Sequence, residues 1–209
     1  MKNFLSEFLS TFFLVFAGTG AIVINQQTGG ALTHLGISIT FGLVVTGMIY
    51  AFGNYSGAHM NPAVTIALTI GNRFPKKDLV LYLSAQLTGA FAASGLLKVL
   101  FPACETVGIT LPAGTEMQSF ILEVILAFFL MFTILSTTQE KNNYAPIAIG
   151  LIILLAALFA GPISGASMNP FRSLAPAFVS NNLQSLWIYL TAPILGTILA
   201  VFSFNYFQK

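Results

Sequence analysis

Charge is what this sequence has least of. Among 209 residues there are eight Lys and Arg and six Asp and Glu, 7% in all. Soluble domains carry roughly 25%, so an ordinary water-facing globular surface is excluded. The +2 net charge is too small to argue for nucleic acid or for an acidic partner. Cysteine is almost missing: Cys104 stands alone. That excludes an internal disulfide and a cysteine metal cluster, and it leaves the redox compartment unmarked. The two histidines, His34 and His59, make no metal constellation with the acidic residues.

What is there in abundance is apolar chain, with 56% hydrophobic residues and twenty Phe. This balance predicts an all-α polytopic membrane protein. Crossing about 30 Å of hydrocarbon takes roughly 20 apolar residues, and six stretches qualify: about 5–24, 36–52, 79–101, 117–137, 145–163 and 186–207. The first follows Lys2 and so invites comparison with a signal peptide. Glu7 interrupts it, and its removal would leave the first half one span short, so the segment is expected to be retained. Ala85, Gly89 and Ala93, like Ala192 and Gly196, recur at i+4, a spacing that lets helix backbones approach closely.

One octapeptide is written twice. Residues 56–63 read SGAHMNPA and residues 164–171 read SGASMNPF, with six of eight positions identical and the asparagines 108 residues apart. A repeat at half the chain length predicts two related halves, about 1–104 and 115–209 of a single channel domain spanning 1–209. Each copy is also a helix start, because Asn caps well and Pro suits the first helical position. The apolar segments that follow, 62–69 and 170–179, rise only about 15 Å, half the hydrocarbon thickness. Broken backbone at membrane depth is tolerated only inside protein or beside a water-filled cavity. Paired interruptions of this kind point to a site at the midplane.

Three full spans per half is an odd number, so the second half enters the membrane in the opposite sense. The repeat is then inverted, and its two half-helices meet start to start. With the N-terminus in the cytoplasm, Lys2, Arg73, Lys76, Lys77, Lys141 and Lys209 all fall inside, as the bias of basic residues requires. The exceptions are Lys98 and Arg172. The expected location is the cell membrane, multi-pass, with both termini cytoplasmic.

Two helix N-termini facing one another each present roughly half a positive charge and unpaired N–H donors. Asn61 and Asn169 would add two amide donors each. Such a pore hydrogen-bonds the oxygen of a neutral molecule while repelling protons and cations. The plainer alternative is that each Asn merely caps its own helix, and the two roles are compatible.

The paired Asn-Pro motifs, with Ser-Gly-Ala upstream and Asn169-Pro170-Phe171-Arg172-Ser173 downstream, resemble those of the aquaporin (major intrinsic protein) family. The resemblance covers the whole chain. It implies six tilted helices with two re-entrant half-helices, a homotetramer in the lipid bilayer with one pore per subunit, and passive flow of water or small neutral solutes. No bond is made or broken, and no cofactor is implied. The midplane motifs would be Asn61, Pro62, Ala63 and Asn169, Pro170, Phe171. By family position, counted from the asparagines, the outer selectivity filter falls on Phe41, Ala157, Ala166 and Arg172. A charge at membrane depth is costly and usually faces a cavity or a partner, which singles out Arg172; a buried ion pair is its alternative.

Two departures from the family pattern, at Ala157 and Phe171, and one opposing likeness to its water-conducting branch, at Ser173 and Ala177, bear on the substrate. Strict water channels place His where this chain has Ala157, and its loss should widen the constriction toward glycerol or metalloid hydroxides. Glycerol-conducting relatives carry Asp after the filter arginine, where this chain has Ser173, and a basic residue where it has Ala177. Phe171 replaces the usual Ala; it is expected to pack outward rather than narrow the pore, since a residue beside the cap need not share its direction. The family resemblance suggests that Glu7 and Glu123 accept hydrogen bonds from the re-entrant loops; as proton or ion sites they would instead make a coupled transporter. A junctional protein with little conductance is the third reading. His59 either lines the cytoplasmic entrance or braces the loop, with pH gating as a further option, and His34 belongs at an outer helix end.

Overall fold

The computed structural model describes residues 1–139 and 143–208. Lys141 and Lys209, two of the basic residues used for orientation, lie outside them. The described residues form eight α-helices: α1 Lys2–Gln27, α2 Thr33–Ser56, α3 Pro62–Ile70, α4 Leu79–Leu100, α5 Glu116–Thr137, α6 Ala145–Ser164, α7 Pro170–Val179 and α8 Leu186–Phe207. Six are long and apolar enough to cross a membrane. The two short ones begin at the repeated Asn-Pro pairs. Helices α1 and α2 outrun the apolar stretches that announced them, because their polar ends keep winding past the hydrocarbon.

The long helices pack as α1 with α2 and α4, and as α5 with α6 and α8, while α2 against α6 joins the two groups. The short helices fill the middle and interlock the halves. Helix α3 packs on α8 as well as on α4, and α7 on α4 as well as on α8. Six of the nine residues of α3 and six of the ten of α7 are buried. The outer surface is apolar instead: Leu43, Val80, Val99, Phe129, Leu151, Phe159 and Phe202 are all exposed. In water so much exposed apolar surface would mark an aggregate or an interface; in a bilayer it faces lipid.

The small-residue spacings mark the two tightest helix pairs. A Cβ on Gly89 would strike the Phe8 carbonyl of α1, and one on Gly196 would strike the Val124 carbonyl of α5. Ala85, Ala93 and Ala192 on the same faces are fully buried. Backbones at such distance gain dispersion contacts that no larger residue permits. Gly89→Ala and Gly196→Ala should each destabilise the fold by about 1–3 kcal/mol through overpacking. Gly47→Ala, where the new methyl meets nothing within 4 Å, should be neutral or stabilising. Thermal unfolding in detergent checks the contrast, and equal midpoints for all three would refute it.

Candidate functional site

The site is built from the two loops that carry the octapeptides. Helix α2 stops at Gly57 (φ 85°) and α6 at Gly165 (φ 85°), each in the left-handed region. Beyond these caps Ala58, Met60, Ala166 and Met168 also have positive φ, between 43° and 52°. Left-handed backbone costs an L-residue roughly 1–2 kcal/mol, so something must hold it.

Two buried carboxylates do so. Glu7 Oε1 accepts from Ser56 Oγ at 2.7 Å and from the His59 N–H at 2.8 Å, and Oε2 accepts from the Met60 N–H at 2.9 Å and from Gln86 Nε2 at 2.8 Å. Glu123 Oε1 accepts from Ser164 Oγ and the Ser167 N–H, both at 2.8 Å, and Oε2 from the Met168 N–H at 2.7 Å. Tyr82 and Tyr189 donate to the Ser56 and Ser164 carbonyls at the preceding helix ends, at 2.8 and 2.7 Å. With their amide hydrogens drawn to one side, Ala58 to Met60 and Ala166 to Met168 line a cavity on the other.

The asparagines tie the loops together. Asn61 Oδ1 accepts from the Ala63 N–H at 2.9 Å, and Asn169 Oδ1 from the Phe171 and Arg172 N–H groups at 3.1 and 3.3 Å. Both cap their helices. Each also reaches across: Asn61 Nδ2 donates to the Met168 carbonyl at 2.7 Å, and Asn169 Nδ2 to the Met60 carbonyl at 2.8 Å. The sequence reading assigned two free donors to each amide; one N–H of each is committed to the opposite loop, so one remains. Of the six motif residues, the two asparagines line the cavity, whereas Pro62, Ala63, Pro170 and Phe171 do not. Phe171 turns to Val15, Ala90, Ala93 and Ala175 between α1, α4 and α7.

Two cavities occupy the bundle. One of about 320 Å³ runs past the asparagines to Arg73, and a second of about 290 Å³ is lined by His34, Ile109, Thr110 and Leu111. Phe41, Ala157, Ala166 and Arg172 line both, so these four form the ring where the cavities meet. Arg172 Nη1 donates to the Gly108 carbonyl at 2.7 Å, and its Cζ lies 5.1 Å from the Phe41 ring centroid. Phe41 is itself seated on Gly18, where a Cβ would collide with the ring. A cation over an aromatic face is stabilised by roughly 0.5–2 kcal/mol, which partly offsets the cost of its burial.

Several partners were invisible from the sequence. Gly108 (φ 77°) sits in an irregular outer loop with no periodic signal. Tyr82 and Tyr189 stand 107 residues apart, almost the period of the octapeptide, and extending the repeat search would have found them. Ser173 is fully buried, bonded to Ser167 Oγ at 2.6 Å and to Thr110 Oγ1 at 2.7 Å, and it lines neither cavity. His59 does both things asked of it: it lines the larger cavity and braces the loop, with Nδ1 3.1 Å from Thr65 Oγ1 and its ring against Phe74 and Tyr82. Lys98 Nζ, the outer basic exception, donates to the Cys104 carbonyl at 2.7 Å.

Comparison with known proteins agrees over the full length. The family model described as major intrinsic protein matches residues 1–204. Aquaporin NIP1-1 of Oryza sativa subsp. japonica is 43% identical over 209 residues, covering 98% of this chain and 74% of that relative. Nodulin-26 of Glycine max is 42% identical over 209 residues, covering 98% and 77%. The X-ray structure of the aquaglyceroporin from Plasmodium falciparum superposes with a TM-score of 0.89 at 28% identity, covering all of this chain and 95% of that one.

The carboxylate clamps can be tested one at a time. Glu123→Gln sets an amide hydrogen against a backbone N–H and strands a buried donor, at a cost of about 1–3 kcal/mol. Tyr189→Phe removes a bond to the Ser164 carbonyl, leaves all three bonds to the carboxylate intact and should cost less. Thermal unfolding in detergent gives the order; a larger loss for Tyr189→Phe would mean that the carboxylate is not what holds the loop.

Proposed function

This chain belongs to the major intrinsic protein family, and from that premise we propose how its pore sorts what passes. The protein is a multi-pass membrane channel for passive movement of water and small neutral solutes. The family transports rather than transforms, and no bond-making step is assigned.

The selectivity ring is Phe41, Ala157, Ala166 and Arg172, and the observation that carries this reading is that these four residues line both cavities. Arg172 supplies a fixed positive charge and N–H donors. Phe41 supplies an apolar face, and two alanine methyls complete the ring. A neutral hydroxyl finds donors at Arg172, Asn61 and Asn169, while a cation meets Arg172 and the N-terminal ends of α3 and α7. Glu7 and Glu123 support the loops. Their oxygens already accept seven hydrogen bonds between them, which argues against use as coupling-ion sites.

The same ring favours solutes larger than water. Ala157 leaves open the volume that an imidazole would fill. Ser173, the feature that favoured strict water selectivity, is bonded inside the protein and faces neither cavity. The channel therefore admits water together with glycerol-sized neutral molecules. The two halves, about 1–104 and 115–209, form an inverted repeat. Both termini are cytoplasmic, the location is the cell membrane, and the assembly is a homotetramer; the apolar outer faces of the long helices suit contact with lipid and with further copies.

Stopped-flow light scattering on proteoliposomes tests the substrate range. Shrinkage in sucrose and re-swelling in glycerol should both be faster than in protein-free vesicles. Ala157→His should slow glycerol about tenfold, the discrimination that a change of wall volume can give, while water flow persists. Fast shrinkage with no faster re-swelling in the parent would reduce the assignment to a water channel. No acceleration in either would refute the channel.

A further inference from the structure

The wall that carries Ala157 is held by a contact between two helices. Pro162 lies inside α6 and brings no N–H, so the Leu158 carbonyl four residues earlier has no helical donor from that position. His34, in the first turn of α2, supplies one: its Nε2 is 2.7 Å from the Leu158 oxygen. A carbonyl only accepts, so Nε2 carries the proton. Gly161 makes room for the ring, since a Cβ there would stand 2.9 Å from His34 Cε1. Leu158 directly follows Ala157, and His34, Gly161, Ala157 and Arg172 all line the outer cavity.

The rest of the α2–α6 seam explains why this one contact matters. At its inner end Thr46 Oγ1 reaches the Pro146 carbonyl at 3.3 Å. In the middle, Gly42 and Gly150 bring the backbones so close that a Cβ on either would strike the other's carbonyl. Those two contacts fix the inner half of α6. Toward the outer end, where Pro162 weakens the helix's own ladder, the His34–Leu158 bond crosses the seam beside the ring.

We propose that His34 is a specificity-determining positioning residue: by bonding the carbonyl that Pro162 frees, it fixes the turn of α6 that presents Ala157 opposite Arg172. The imidazole thus governs the width of the ring from α2 without standing in it. This rests on the ring being the filter.

The test is the ratio of glycerol to water permeability in proteoliposomes, measured by stopped-flow light scattering for the parent, His34→Ala, Pro162→Ala and the double variant. Loss of the bond loosens the wall, and His34→Ala should raise the ratio about threefold, a shift in scale with one net hydrogen bond. Pro162→Ala returns an N–H to the Leu158 carbonyl, so the double variant should recover the parent ratio. A purely structural loss would reduce the number of working channels and lower both permeabilities together, leaving the ratio unmoved. Gly161→Ala displaces the ring without removing it, and it should raise the ratio in the same direction even if His34→Ala gives no folded protein. A conducting parent whose ratio moves in neither single variant, or a shift that Pro162→Ala fails to reverse, overturns the inference alone. A parent that does not conduct removes the channel reading and this inference with it.

Discussion

Everything at the centre of this protein depends on two carboxylates accepting backbone N–H groups inside the membrane. Backbone that leaves helical geometry at that depth has no water to satisfy it, and each stranded group costs several kcal/mol. Glu7 and Glu123 each collect a pair of consecutive amide hydrogens from residues two and one before the asparagine. This stabilises left-handed conformations that Ala and Met would otherwise avoid. It also decides which way the loop faces, because amide hydrogens gathered on the protein side leave the opposite edge of the loop to the cavity. The two cross-bonds from Asn61 and Asn169 then need only join loops already shaped to receive them.

The two halves use one scaffold with different chemistry. On α4, Gln86 gives Glu7 an extra donor and bonds Thr65; at the same step on α8 stands Pro193, which has no donor to give. Where the first half places His59 against Thr65, the second places Ser167 against Ser173 and adds Thr110 from the outer loop. The contrast is sharper in the ring. Counting 108 residues across the repeat takes Phe41 to Ile149, Ala157 to Ile49, Ala166 to Ala58 and Arg172 to Val64, and all four counterparts line the larger cavity. At these four positions one end thus has an aromatic and a guanidinium and the other has aliphatic side chains, with His59 and Arg73 elsewhere on the wall of the larger cavity.

The parts legible in the sequence were those with a local or periodic cause. Apolar length announced the long helices, and Asn-Pro announced the starts of α3 and α7 to the residue. The mutual position of Glu7 and Glu123 in the first helix of each half was also visible. What escaped was contact between segments of irregular chain. Nothing in the residues around Gly108 says that its carbonyl meets Arg172, some sixty positions away. The outward direction of Phe171 was legible, because it follows from the residue's place beside the cap. One residue past the cap proline, about 100° of helical rotation per residue is enough to take a side chain from the cavity into the packing. Ser173 was read by analogy as a marker of substrate class, whereas its hydrogen bonds show a buried strut between α7, its loop and the outer segment.

The electrostatics of the ring suit the filter role proposed for it. Arg172 has one terminal nitrogen tied to the Gly108 carbonyl and its Cζ near the Phe41 ring, so among the described residues the guanidinium is held without a carboxylate partner of its own. Pairing it would cancel the field on which the proposed barrier to cations rests. Leaving it wholly without partners would make it costly to bury. A carbonyl and a π face stabilise the charge and leave most of it in force at the cavity. For a neutral solute the same arrangement offers a few donors on one side, while Phe41 and two methyl groups form the rest of the ring. At the proposed filter, binding has to replace lost water without trapping the solute, which is the condition for conduction, and a few donors beside an apolar wall match that demand.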